Sequence, residues 1–409
     1  MKGMGPIPAV FSPDGSHQLS IGGRLAEELV AEAGGTPLFV YDNNIVGLQI
    51  ARFRAAMPDG VDLHYAVKAN PYPPLLAFIA RYVDGFDVAS AGELDRLDEA
   101  GVGDVPLSFA GPGKSDAELF RAIELGATIN LESESEAGRA LRLAGELGIR
   151  PKLAVRVNPP FAIRGAGMKM GGAASQFGLD HDRAADLVRE LVAAGADWRG
   201  LHIYAGSQVL DLDALVEAQR ATVALAAEIA EAAGAEPPKI NLGGGFGIPY
   251  FAGDTELDVE ALGRALNEIL CNAPQVLALT CFSIELGRWM VGEAGVYLTR
   301  VIERKESRGK TFLVTDGGLH HMLAASGNFG QLLRRNYPVA VAGRFGAAAE
   351  EDVTVTGCLC TPLDLIADDV ALPRADAGDL IAVFCAGAYG LSASPQAFLS
   401  QTAAREVLV

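Results

Sequence analysis

Lys68 closes a short apolar run, Leu63 to Val67, in the stretch Tyr65-Ala66-Val67-Lys68-Ala69-Asn70. Such a run predicts a buried strand. Side chains alternate along a strand, so His64, Ala66 and Lys68 share one face while Leu63, Tyr65 and Val67 share the other. An ammonium group at the inner end is costly unless it is paired or gives up its charge. A Schiff base with an aldehyde achieves the second by chemistry; a strand-end lysine whose amine reaches water is the competing reading. Glu285, within Phe282-Ser283-Ile284-Glu285-Leu286, poses the same problem with opposite sign and calls for a cation, either an arginine or a protonated pyridine nitrogen. The run Gly243-Gly244-Gly245-Phe246-Gly247 lets backbone amides approach an anion, and Arg288 has the planar fork to reinforce a phosphate or a carboxylate. A ligand-free turn and a surface ion pair are the plain alternatives for these two. The glycine run has no P-loop lysine and does not open a first βα unit, which disfavours a nucleotide. Lysine, glycine cradle and buried acid together describe a site for pyridoxal 5'-phosphate.

These groups need a frame, and the chain has a rhythm that supplies one. Strand candidates begin near Asp62, Asp84, Pro106 and Thr128, a spacing of about 22 residues that suits short strand-plus-helix units. Ser90-x-x-Glu93, Ser115-x-x-Glu118 and Ser133-x-x-Glu136 follow in phase and fit capping boxes at helix starts. Further strands are expected at Lys152–Val157, Gly200–Tyr204, Lys239–Leu242 and Phe282–Leu286, with helices at Ala184–Ala194, Leu212–Ala233 and Val259–Leu270. Eight alternating units predict an α/β fold built on a closed (β/α)8 barrel, although Pro37–Tyr41 is a ninth strand candidate ahead of them.

Beyond Val291 the pattern changes to β segments at Val296–Ile302, Thr311–Val314, Val353–Val355, Leu380–Phe384 and Glu406–Val409. The expected organisation is a barrel over 36–290 and a mostly β domain from 1–35 with 291–409. Barrel sites form where strands end. Lys68, Asp87, the Gly206-Ser207-Gln208 stretch, the glycine run and Glu285 to Arg288 all fall at such positions. Pro159–Phe177, rich in Gly and Met, reads as a mobile cover.

The net charge of −18 disfavours nucleic acid and anionic membrane surfaces as partners. No run of about 18 apolar residues is present, and the N-terminus does not read as a signal peptide. Five cysteines without an export signal suggest a reducing cytoplasm. Cys358-Leu359-Cys360 is too tight for a zinc knuckle. His320 and His321, if on a strand, would point oppositely, so no metal site is expected and loop or interface histidines are preferred.

The motifs Tyr65–Asn70, Phe86-Asp87-Val88-Ala89-Ser90, Gly243–Gly247, Glu285–Arg288 and Ala386-Gly387-Ala388-Tyr389-Gly390, in this order, resemble the fold-type III decarboxylases, which include diaminopimelate, ornithine and arginine decarboxylases. Within that group the chain is most similar to the exosortase A system-associated pyridoxal-dependent decarboxylases, and it resembles the decarboxylase of carrier-protein-bound glutamate. The resemblance implies an alanine racemase-like barrel, a C-terminal β domain and a head-to-tail homodimer with shared active sites. Lys68 would carry the cofactor and Glu285 would pair with its ring nitrogen. Asp87, Ser207, Gly243, Gly244, Gly245, Gly287, Arg288 and Tyr389 would line the cofactor, with Arg288 and Tyr389 also near substrate. Tyr204 stands where the family has a stacking histidine. Cys360 would enter from the other subunit, contact substrate and donate a proton.

Three departures bear on the substrate. Cys360-Thr361-Pro362 replaces the family's Cys-Glu-Ser, and Ala324 and Asn328 stand at the positions of its arginine and tyrosine. The expected activity is α-decarboxylation of an amino acid to an amine and CO2, with free diaminopimelate disfavoured and a carrier-linked substrate among the options. An amino-acid racemase and a non-catalytic regulatory relative are the alternatives.

Overall fold

The computed structural model describes every residue except Met1, Asp14 and Leu332, which fall within the span expected to form the β domain. The chain divides into two compact units, residues 50–247 with 256–287, and residues 1–49 with 248–255 and 288–409.

The first unit is a closed parallel barrel. Its strands are Val61–Ala66, Gly85–Val88, Leu107–Phe109, Thr128–Leu131, Lys152–Asn158, Asp197–Ile203, Lys239–Gly244 and Cys281–Leu286. Each pairs in parallel with its neighbours, and the eighth closes on the first with Leu286 opposite Tyr65. Helices Ala91–Glu99, Asp116–Glu124 and Glu134–Leu147 start at the three expected serine caps. Only Ser115 and Glu118 form the full reciprocal box. Glu93 and Glu136 reach one residue further back and accept from the amides of Ala89 and Glu132. A serine cap of this kind is worth about 1 kcal/mol.

The barrel's two faces are buried for different reasons. One parity of each strand is apolar: Leu63 and Tyr65, Phe86 and Val88, Ile129 and Leu131, Val155 and Val157, Ile284 and Leu286 are all buried. The other parity carries buried polar groups, namely His64, Asp87, Ser108, Asn130, Arg156, His202, Asn241, Ser283 and Glu285. Asn130 donates to Ser108, and His64, Ser108, Asn130, Asn241 and Ser283 line one common cavity, so this parity faces inward. A polar lumen departs from the branched apolar filling usual in such barrels. It makes the interior a place to hold charge.

The second unit is a mixed sheet in the order Val339–Val341, Leu380–Val383, Gly295–Ser307, Lys310–Thr315, Glu351–Thr356, Leu365–Leu372. The extra strand candidate ahead of the eight barrel strands belongs here: Leu38–Tyr41 lies antiparallel to Gly295–Leu298 and parallel to Arg405–Leu408. Residues 36–49 and 248–255 therefore cluster with the β strands, unlike the expected division at 35/36. Strands Val339–Val341 and Leu365–Leu372 were not anticipated. The first has only three residues, and the acidic pair Asp368-Asp369, with Asp369 in a left-handed conformation, breaks the apolar pattern of the second.

Candidate active site

In the barrel, the chain leaves the first strand at Ala66 and turns into a short 3-10 segment, Val67–Ala69. Lys68 thus lies just past the strand, and strict alternation with His64 and Ala66 does not apply to it. Gly287 makes this turn possible, since a Cβ there would come 2.7 Å from the Ala69 Cβ. The Lys68 amine sits 5.6 Å from the centre of the Tyr204 ring, within cation–π range. Glu93 feels both Lys68 and Asp87. Burial pushes its carboxyl up, against the pull of the Ala89 amide and Lys68.

Glu285 is 6% exposed on the eighth strand. Its Oε2 accepts from the His202 Nε2 at 2.9 Å and from the Asn241 amide at 3.1 Å. Burial alone would raise its carboxyl, but His202, then Lys68 and Arg156, hold it well below the usual carboxylate range. His202 and Asn241 were missing from the sequence expectations. Each is a buried polar residue between two apolar neighbours, His202 between Leu201 and Ile203 and Asn241 between Ile240 and Leu242, which is the signal that could have found them.

The glycine run serves packing first. A Cβ on Gly244 would lie 1.9 Å from the Glu285 carbonyl oxygen, one on Gly245 2.3 Å from that of Gly206, and one on Gly243 3.0 Å from the Tyr204 ring. The Gly243 amide donates to the Asn241 side chain and the Gly247 amide to the Val209 carbonyl. The run as a whole is therefore not an open row of amides, as expected from sequence.

Ser207 lies beyond the sixth strand, which ends at Ile203, in a two-residue ribbon with Met168–Lys169. Backbone bonds from Gly167 to Ser207 and from Met170 to Ala205 tie down the middle of Pro159–Phe177, so this expected mobile cover is anchored. Asp87 lies 3.4 Å from the Nδ1 of His64, and neither of its oxygens has a hydrogen-bond partner among the described residues.

The second unit holds the remaining expected residues. Arg288 opens the short helix Arg288–Val291. Its Nη1 donates to the Tyr250 hydroxyl at 3.0 Å, and its guanidinium lies 4.6 Å from the Tyr389 ring centre. The Arg288 Nε is buried with no partner among the described residues. Burial pushes the Tyr250 hydroxyl to about 12, so it stays protonated. Tyr337 packs against Tyr250 with ring centres 4.8 Å apart and the planes tilted by 47°. Tyr250 and Tyr337 were not anticipated. Cys360 stands exposed on a separate turn.

His320 and His321 are both fully buried in a turn, with ring centres 3.8 Å apart. They are loop histidines, the reading preferred from sequence; because the chain turns there, the rings converge instead of pointing oppositely.

The barrel residues fit pyridoxal 5'-phosphate. An amine beside an aromatic face, an anion held for a ring cation, and Asp87 oxygens left unpartnered are what such a ligand would engage.

Comparison with known proteins agrees. The pyridoxal-binding domain of the pyridoxal-dependent decarboxylases matches residues 44–292. The chain is 36% identical over 381 residues to the L-glutamyl-[BtrI acyl-carrier protein] decarboxylase of Niallia circulans, covering 91% of this chain and 88% of that one. It is 31% identical over 396 residues to the diaminopimelate decarboxylase of Aquifex aeolicus, covering 96% and 90%. The diaminopimelate decarboxylase of M. jannaschii in complex with L-lysine superposes with a TM-score of 0.85 at 26% identity, over 100% of this chain and 94% of that one. The chain belongs to the fold-type III pyridoxal 5'-phosphate-dependent decarboxylases and is an amino-acid carboxy-lyase.

Proposed function

We propose that this enzyme removes the α-carboxylate of an amino acid whose distal end is masked, with a carrier-linked glutamyl group the first candidate, rather than of free diaminopimelate. The observation that carries this reading is the loss of the family's substrate-recognition side chains at three positions, an acid, an arginine and a tyrosine. Thr361 replaces an acid next to Cys360, Ala324 is a buried residue in the turn Leu323–Ser326, and the Asn328 amide is engaged by the Ser326 hydroxyl at 2.7 Å. A site built to hydrogen-bond a free ammonium and carboxylate loses heavily when those partners vanish. Similarity to a decarboxylase of carrier-bound glutamate supports the same direction.

In this reading Lys68 would hold the cofactor covalently, and Tyr204 flanks the amine. When bound, the cofactor supplies the electron sink that lets CO2 depart. Glu285, kept ionised by His202, Lys68 and Arg156, would favour a protonated ring nitrogen. Asp87, Ser207, Gly243, Gly244, Gly245 and Gly287 shape the cofactor cleft. Arg288 and Tyr389 take an anionic oxygen of phosphate or substrate. Cys360, exposed in its own protomer, serves the partner's site in a cytoplasmic head-to-tail homodimer and returns a proton to the α-carbon.

The test is CO2 release from free diaminopimelate, ornithine, arginine, lysine and glutamate beside carrier-bound glutamate. A masked substrate should exceed free diaminopimelate by at least about 10²-fold in kcat/KM. Free diaminopimelate as the best substrate would overturn the proposal, and racemisation without CO2 would point to a different reaction.

A further inference from the structure

Two turns of the β unit meet over one buried side chain. Asp364 is 2% exposed. Its Oδ1 accepts from the Leu319 amide at 2.6 Å, and its Oδ2 from the Leu359 amide at 2.8 Å. Leu319 follows Asp316-Gly317-Gly318, and Leu359 immediately precedes Cys360. The Asp364 backbone adds two bonds, accepting from Gly357 at 3.0 Å and donating to Thr361 at 3.2 Å. The Cys358 thiol reaches the Asp316 carbonyl at 3.6 Å, a second link between the same turns.

Glycine at two positions makes room for this carboxylate. A Cβ on Gly318 would fall 2.3 Å from one carboxylate oxygen, and a Cβ on Gly357 2.2 Å from the other. Neither glycine has a positive φ, so space rather than backbone conformation requires them. The neighbouring His320 imidazole is fully buried, and burial pushes it below its usual value against the pull of Asp364. The two amides are thus the carboxylate's anchors. Both oxygens must accept, which a carboxylate can do and a side-chain amide cannot.

We infer that Asp364 is a positioning residue for Cys360, its carboxylate fixing the Cys360 turn against the Asp316-Gly317-Gly318 turn. This rests on the reading of Cys360 as proton donor. Asp364 touches no reacting atom in this account. It acts by holding the backbone of the residue before the thiol, and a displacement near 1 Å at a reacting group can cost about 10²-fold in rate.

The experiment is a double-mutant cycle on the holoenzyme with Cys360→Ala, Asp364→Asn and the double variant. Asp364→Asn should lower kcat by about 10- to 10²-fold while KM and cofactor absorbance change less than about twofold. In the Cys360→Ala background the same substitution should have no further effect. Gly357→Ala intrudes on the carboxylate from the other side and should reproduce the loss; it carries the comparison should Asp364→Asn fail to fold.

Iodoacetamide labelling of Cys360 in the holoenzyme, read by peptide mass spectrometry, gives a measure independent of turnover. Its rate should change at least about threefold in both variants, as expected if the thiol's surroundings shift. An undiminished Asp364→Asn effect without Cys360, or unaltered labelling in both variants, would overturn the inference. Unchanged turnover in Cys360→Ala alone would remove the thiol from catalysis instead, and labelling would then decide the positioning claim by itself.

Discussion

The two units bury carboxylates for opposite purposes. In the barrel, Glu285 is surrounded by groups that favour its charge, with His202 and Asn241 bonded to it and Lys68 and Arg156 acting at longer range. In the β unit, Asp364 is met by two backbone amides, and burial leaves its carboxyl raised above the usual value. Nearby, Asp316 accepts from the Thr299 hydroxyl and the Arg300 amide, again tying strand to turn. One environment maintains an anion ready for a cation brought by a ligand; the other uses an anion as a fastener. A buried acid is thus informative about function only through its partners.

The comparison breaks most visibly at Glu285. Glu285→Gln keeps the shape but removes the charge that a ring nitrogen requires. Turnover at saturating cofactor should fall about 10³-fold, the scale seen when preorganised electrostatics are removed. CO2 release reports the loss, with near-ultraviolet circular dichroism to verify folding. A loss below about tenfold would make Glu285 another fastener, and the contrast between the units would disappear.

The β unit should reveal itself through pH instead. His321 donates from Nε2 to the Thr402 carbonyl at 2.8 Å and accepts at Nδ1 from the Tyr297 hydroxyl at 3.2 Å, which fixes a neutral ring. Burial, then the adjacent His320, lowers it from 6.5 to about 4. The unfolded chain therefore binds this proton at a higher pH than the folded one. Stability is intact above pH 6.5, is lost as pH falls from there towards about 4, and does not change further below. The sum is about 3 kcal/mol for this group. Urea unfolding at pH 7.5 and 4.5 should show the loss, and His321→Gln should reduce the difference between the two. An equal pH dependence in both proteins would contradict a neutral buried ring.

Much of the barrel was legible because its eight strands and serine caps repeat in register with the helices. Leu38–Tyr41 was misplaced because a short apolar run carries no record of its partner, and its pairing with Gly295–Leu298 spans most of the chain. Lys68 and Glu285 stood out as charges in apolar surroundings. His202 and Asn241 did not, since one polar residue in a strand is common and only the closed barrel makes both meet Glu285. The glycine run suggested anion binding by composition, whereas Gly244 is needed first for the approach of the Glu285 backbone. Asp364 escaped notice because its role lies in two amides, and backbone donors leave no trace in residue identity.

The central claim is that Lys68 bears the cofactor inside this polar lumen. Borohydride reduction of the holoenzyme followed by peptide mapping tests it directly. The label should fall on the peptide containing Lys68, and Lys68→Ala should retain none after reduction and denaturation. A label on any other lysine, or undiminished labelling of the Lys68→Ala protein, would contradict the assignment.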